Sequence, residues 1–166
     1  MKKTFVLFWF ALILLASCQP QVTKKPVDLV AAKDTVNVLL DTFMKAFQTM
    51  KPESVENMLS AEGLFCGTDP GEFWPRKTLL DSWKQLPADA AGNFQYVLDK
   101  REIRVAKDGS SAIVIEQYIF KPISSKIPVR AVYSVTKSDG KWVIDFISWS
   151  LVPKNRDIAK LNKALE

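Results

Sequence analysis

The 166-residue chain contains no histidine and only two cysteines, Cys18 and Cys66. Without histidine, no Ser-His or Cys-His nucleophile system and no histidine-based zinc site can be assembled. Metal-ligand spacings, a glycine-rich phosphate loop and a nucleophile elbow are also missing, so no metal and no cofactor is expected. Charge of one sign is lacking too. The 23 basic and 18 acidic residues are interleaved, as in Lys100-Arg101-Glu102 and Arg156-Asp157, and no basic stripe invites nucleic acid. There is no internal repeat and no low-complexity tract. Nor is there an apolar run of the roughly 20 residues that a membrane-spanning helix needs; the first, residues 5–16, is a dozen long.

That short run carries the clearest signal in the chain. It follows Lys2 and Lys3 and has the dimensions of a secretory signal core. It ends in Leu15-Ala16-Ser17-Cys18, which resembles the bacterial lipoprotein signal. The resemblance implies a diacylglyceryl thioether on Cys18, cleavage just before it, and a further acyl chain such as palmitate on the new amino group. Several acyl chains give stable anchoring to a lipid bilayer where one would be marginal. Residues 1–17 are therefore expected to be a signal peptide, and residues 18–33, with Pro20, Pro26, Lys24 and Lys25, a lipidated tether. Gln19 is not the aspartate that retains lipoproteins at the inner membrane in enterobacterial-type sorting. The expected location is the cell envelope, at the outer membrane facing the periplasm. Removing residues 1–17 takes two lysines and no acid, which leaves a mild net charge of +3. With Cys18 lipidated, Cys66 has no intrachain partner, and its apolar surroundings suggest a buried, inert thiol.

The remaining length suits one domain. Val36, Leu39, Leu40, Phe43, Met44 and Phe47 fall on one face of an amphipathic helix. Pro52 then suits the first turn of a second helix, with Val55, Met58 and Leu59 facing inward and Gly63 ending it. A short strand at Leu64 leads into the irregular stretch from Cys66 to Pro75, and residues 76–86 return to helical spacing. From Phe94 the period becomes two. Asp108-Gly109 and Asp139-Gly140 are hairpin signals joining residues 94–106 to 111–120 and 129–136 to 142–152. Residues 155–165 could form a short terminal helix, with Ile158, Leu161 and Leu165 on one side. The fold class is α+β, helices packed on one face of a curved, mostly antiparallel sheet. In the last strand Trp142, Ile144 and Phe146 point one way and Val143, Ile147, Trp149 and Leu151 the other. A strand with one wet face should alternate cleanly, so both faces are expected to be covered, one by helices and one by a second subunit in a homodimer.

Taken in order, Gly67-Thr68-Asp69-Pro70-Gly71-Glu72-Phe73-Trp74, Arg130 on the third long strand and Gly140-Lys141-Trp142-Val143-Ile144 resemble the SnoaL-like branch of the nuclear transport factor two-like superfamily. The resemblance covers residues 34–153, leaving 154–166 as a tail. It implies a cone-shaped fold of three helices on a curved sheet, with a pocket between helices and concave face. The family's last strand often ends in His-x-Ser, and here Ser148-Trp149-Ser150 keeps the serine only. The fold implies no chemistry, because it hosts isomerases, dehydratases, cyclases and many non-enzymes.

Strand parity then supplies candidates. Glu116 shares a face with Val114, Tyr118 and Phe120; Arg130 shares one with Val132; Asp145 shares one with Val143, Ile147 and Trp149. If Glu116 and Arg130 both face the cavity they could pair, which keeps the carboxylate ionised and suits recognition of a small polar or anionic group. Phe73, Trp74, Trp83 and Trp149 could line an apolar pocket, with Trp74 at its mouth, and Asp69 before Pro70 reads as a turn residue. The expected pocket set is Trp74, Glu116, Tyr118, Arg130 and Trp149, with no catalytic residue, and the expected partners are a small molecule or a protein. The rival readings are an acid–base enzyme using Glu116 or Asp145 as general base and a purely structural dimer with a filled cone. In cells given a labelled lipid precursor, the native chain is expected to take up label through Cys18 and Cys18→Ala to take up none; label on the variant would sink the anchor.

Overall fold

A computed structural model describes residues 26–49, 51–86 and 94–166. Cys18 and the expected signal peptide lie outside the described residues. The first helix, α1 (Leu29–Gln48), starts within the stretch expected to be tether. Asp28 explains the early start. Its side chain accepts hydrogen bonds of 3.0 Å from Val30 N and Ala31 N, satisfying two backbone donors that a helix start otherwise leaves open, a contribution of about 1 kcal/mol. Ala32, Val36, Leu40, Phe43 and Met44 form the buried face of α1.

The second helix read from Pro52 does not form. Residues 52–58 make two short 3₁₀ turns, Pro52–Ser54 and Glu56–Met58, and strand β1 (Leu59–Cys66) begins at once. Val55 and Leu59 are buried as expected, but from a turn and a strand. Gly63 lies inside β1 rather than ending a helix. A Cβ there would sit 2.6 Å from Cζ of the fully buried Phe65, so the position needs glycine for a close ring approach. Strand β2 (Phe73–Pro75) pairs antiparallel with β1 and runs into helix α2 (Arg76–Lys84), which buries Leu79, Leu80 and Trp83.

The long strands are β3 (Tyr96–Val105), β4 (Ser111–Phe120), β5 (Val129–Ser138) and β6 (Lys141–Leu151). Both expected hairpins form. At the second turn Asp139 and Gly140 have φ of 50° and 78°, the positive pair that a tight hairpin of this hand requires. The sheet order is β2-β1-β6-β5-β4-β3, antiparallel except where β1 lies parallel to β6. Helices α1 and α2 cover the face formed by Ala112, Val114, Glu116, Tyr118 and Phe120 of β4 and Val129, Ala131, Tyr133 and Val135 of β5. A 3₁₀ turn (Asn155–Asp157) and helix α3 (Ile158–Ala164) close the chain without a buried residue. Among the described residues no helix is long and apolar enough to cross a membrane.

The last strand does not have two apolar faces. Ser134 pairs with Phe146 but Val135 pairs with Ile144, so β6 carries one extra residue, Asp145, as a β-bulge. The bulge resets the parity. Trp142 and Ile144 before it and Ile147 and Trp149 after it all lie on the helix-covered face. The broken alternation therefore reflects a bulge, and it gives no ground for inferring a covered outer face.

Candidate functional site

A cavity of about 350 Å³ opens between the helices and the sheet. Phe43, Met44 and Phe47 of α1 form one wall, Leu79, Ser82 and Trp83 of α2 another, and Tyr118, Phe120, Val129 and Trp149 the sheet side. Gly67, Thr68, Glu72 and Trp74 close it from the β1–β2 connection, and Leu86, Phe94 and Ile123 complete the lining. Its rings pack on one another: Phe47 lies 4.7 Å from Trp83, 5.2 Å from Phe94 and 5.7 Å from Phe120 between ring centroids. Such tilted and edge-on contacts suit aromatic quadrupoles.

Of the residues expected to form the pocket, Trp74, Tyr118 and Trp149 line it; Glu116 and Arg130 do not. The Glu116–Arg130 pair, which required both to face the cavity, does not form, because the two lie on opposite faces of the sheet. Glu116 pairs in register with Ala131 and is fully buried, while Arg130 pairs with Gln117, is exposed, and donates to Gln117 Oε1 at 3.0 Å. Arg101 of β3 is the partner of Glu116. Its Nε donates to Glu116 Oε1 at 2.5 Å, and its Nη1 donates to Asn37 Oδ1 and to Asp41 Oδ1, both at 2.7 Å. The Tyr133 hydroxyl donates to Glu116 Oε2 at 2.8 Å. Arg101 shares a strand face with Ile103 and Val105, a signal that alternation in the sequence could have given. Its Nη2 has no hydrogen-bond partner among the described residues.

Burial works against the Arg101 charge, but Glu116 and Asp41 outweigh it and raise its pKa further. Burial, together with the nearby Tyr118 and Glu116, holds the Tyr133 hydroxyl well above its ordinary value of 10. Tyr118 is raised in the same way, by burial first and Glu116 second. Both tyrosines therefore stay protonated and present neutral hydroxyls, and the one at the cavity is Tyr118.

Phe73 points away from the cavity and is 65% exposed. Asp69 acts in the turn: its Oδ1 accepts from Gly71 N at 2.9 Å. Asp145 occupies the β6 bulge, and its Oδ1 is buried without a partner among the described residues. Cys66, at the end of β1, is half-buried rather than buried and has no disulfide. Glu72, two residues before Trp74, lines the cavity itself. Among the described residues no group of acids and cysteines has metal-binding spacing.

A family profile described as the SnoaL-like domain matches residues 36–154. The chain belongs to that family. No curated protein matches it. Among solved structures, a protein of unknown function from Pectobacterium atrosepticum superposes with a TM-score of 0.64 at 12% identity, covering 78% of this chain and all of the other. A nuclear transport factor two-like protein of unknown function from Shewanella baltica gives 0.59 at 13%, covering 77% and 99%. A nuclear transport factor two-like protein from Cytophaga hutchinsonii gives 0.57 at 18%, covering 72% and 97%. At these identities the likeness shows the fold alone, nuclear transport factor two-like with a curved six-stranded sheet.

Removing one partner of a buried ion pair strands the other charge. Arg101→Ala is accordingly expected to lose about 3–5 kcal/mol of unfolding free energy in urea. A loss below about 1 kcal/mol would show that the Glu116 carboxylate does not depend on Arg101.

Proposed function

We propose that this SnoaL-like protein is a lipid-anchored component of the bacterial cell envelope, held by acyl chains on Cys18 at the outer membrane, that binds a small apolar molecule in the cone without transforming it. The observation that carries the binding reading is the cavity itself: open, aromatic, and of the size and character of small-molecule sites. The reading without catalysis rests on the two bases that the enzyme reading named. Both oxygens of Glu116 are engaged, by Arg101 and Tyr133, and neither Glu116 nor Asp145 lines the cavity, so the bases named in the enzyme reading do not reach a bound molecule. The filled-cone reading is disfavoured by the cavity volume.

Ser82 of α2 lines the cavity, and a phenylalanine there would occupy it. Benzyl alcohol, a small water-soluble probe, is expected to bind the full chain and quench its tryptophan fluorescence, since Trp74, Trp83 and Trp149 all line the site. Ser82→Phe should abolish this with the circular dichroism spectrum unchanged. Undiminished binding to that variant would place the probe elsewhere.

We further propose a homodimer through the outer sheet face. On that face Ile113 is 47% and Ile115 42% exposed, and Ile115 lies opposite the half-buried Val132 of β5, which gives an apolar patch at the middle of the sheet. Patches of this kind mark protein contacts. Density-matched sedimentation of the detergent-solubilised full chain should give a dimer, and Ile115→Lys a monomer; a monomeric native chain ends the proposal.

A further inference from the structure

The charges at the cavity are of one sign. Eight aromatic side chains line it, and its sole charged lining residue among those described is Glu72. Arg101 and Arg130, the cations that an anionic ligand would need, lie respectively in the Glu116 network and on the opposite sheet face.

The Glu72 carboxylate is set in place by the β1–β2 connection. Its Oε2 accepts from Asp69 N at 2.9 Å. Backbone bonds from Gly67 N to Glu72 O at 2.9 Å and from Glu72 N to Asp69 O at 3.0 Å close the loop around it. The carboxylate occupies the space a side chain at residue 67 would need: a Cβ on Gly67 would fall 1.9 Å from Oε2. Glycine at this position is what lets the carboxylate sit there. Among the described residues no cation pairs with Glu72 and no donor engages its Oε1.

We infer that the cavity takes an organic cation, an alkylated or quaternary ammonium group on an apolar body, with the apolar part among the rings and the cation facing Glu72. This rests on the binding reading above and names its ligand class. Aromatic faces attract cations through their quadrupoles, more so when the cation is desolvated, and Glu72 supplies the counter-charge in the same lining. A carboxylate or phosphate ligand would meet that charge with no compensating base among the described lining residues, so the site disfavours anions. This replaces the polar or anionic ligand expected from a Glu116–Arg130 pair.

The test uses the full chain in a maltoside detergent, titrated by equilibrium dialysis with benzyltrimethylammonium, benzyl alcohol and phenylacetate, three aromatic probes of similar size and different charge. Benzyltrimethylammonium should bind about tenfold more tightly than benzyl alcohol, and phenylacetate more weakly than either. Glu72→Gln keeps an oxygen for the Asp69 N–H and should bring the cation to the level of the alcohol while leaving the alcohol unchanged. Gly67→Ala, which displaces the carboxylate, should shift the preference the same way. If benzyl alcohol equals or exceeds the cation on the native chain, or if Glu72→Gln keeps the preference, the ligand class is wrong and the binding reading survives. If none of the three binds, both fall.

Discussion

The buried carboxylate of Glu116 is the constraint around which the rest of the domain is arranged. A fully buried charge is tolerable only if its oxygens are paired and bonded. Here one oxygen takes Arg101 Nε and the other the Tyr133 hydroxyl. Arg101 reaches onward to Asn37 and Asp41, so one guanidinium links β3, β4 and α1. Such a pair is weak evidence for net stability, because well-packed apolar residues of similar volume often do as well. Its contribution is positional. Asn37 and Asp41 lie just before Phe43, Met44 and Phe47, the α1 residues that wall the cavity. The Tyr133 hydroxyl is also 3.7 Å from Met44 Sδ. The network thus sets the height of α1 above the sheet, and that height keeps the cone open.

The two carboxylates near the cone have opposite fates. Glu116 is enclosed and neutralised by a neighbouring cation, and it touches the cavity only indirectly, through the protonated Tyr133 and Tyr118. Glu72 lines the cavity with no cation beside it among the described residues. In a low-dielectric aromatic surround an unneutralised charge acts over a longer reach than it would in water. It is therefore Glu72, and not the more deeply buried Glu116, that gives the cavity its sign.

Much of the architecture was legible in the sequence because it depends on local chemistry. The apolar stripe of α1, the Leu79-Leu80-Trp83 face of α2 and the Asp-Gly turns each follow from spacing or from a residue's allowed φ. Tyr118 was legible as a cavity residue from the alternation of β4, which puts it on one face with Val114 and Phe120. What failed was what depends on tertiary context. Pro52 and Val55 suit a helix start, but Leu59 is drawn into a strand beside β6, and six residues are too few for both a helix and the approach to that strand. Phe73 and Trp74 are equivalent in sequence, and only the pairing of β2 with β1 decides which ring faces the cavity.

Two of the long strands are also irregular, each through a β-bulge. An extra residue in a strand exchanges its two faces from that point on. Asp145 does this in β6: without it Trp149 would share a face with Val143 and leave the cavity. Asp99 does it in β3, where Leu98 pairs with Tyr118 and Lys100 with Gln117. Asp99 Oδ2 accepts from Gln117 Nε2 at 2.9 Å on the outside, while Tyr96 before the bulge and Arg101 after it both face the helices. Each bulge thus turns one working side chain inward, Trp149 to the cavity and Arg101 to Glu116. Whether Arg130 meets Glu116 depends instead on the β4–β5 register, which sets Arg130 opposite Gln117 and Ala131 opposite Glu116; period-two counting within each strand carries no information on that register, nor on the two bulges.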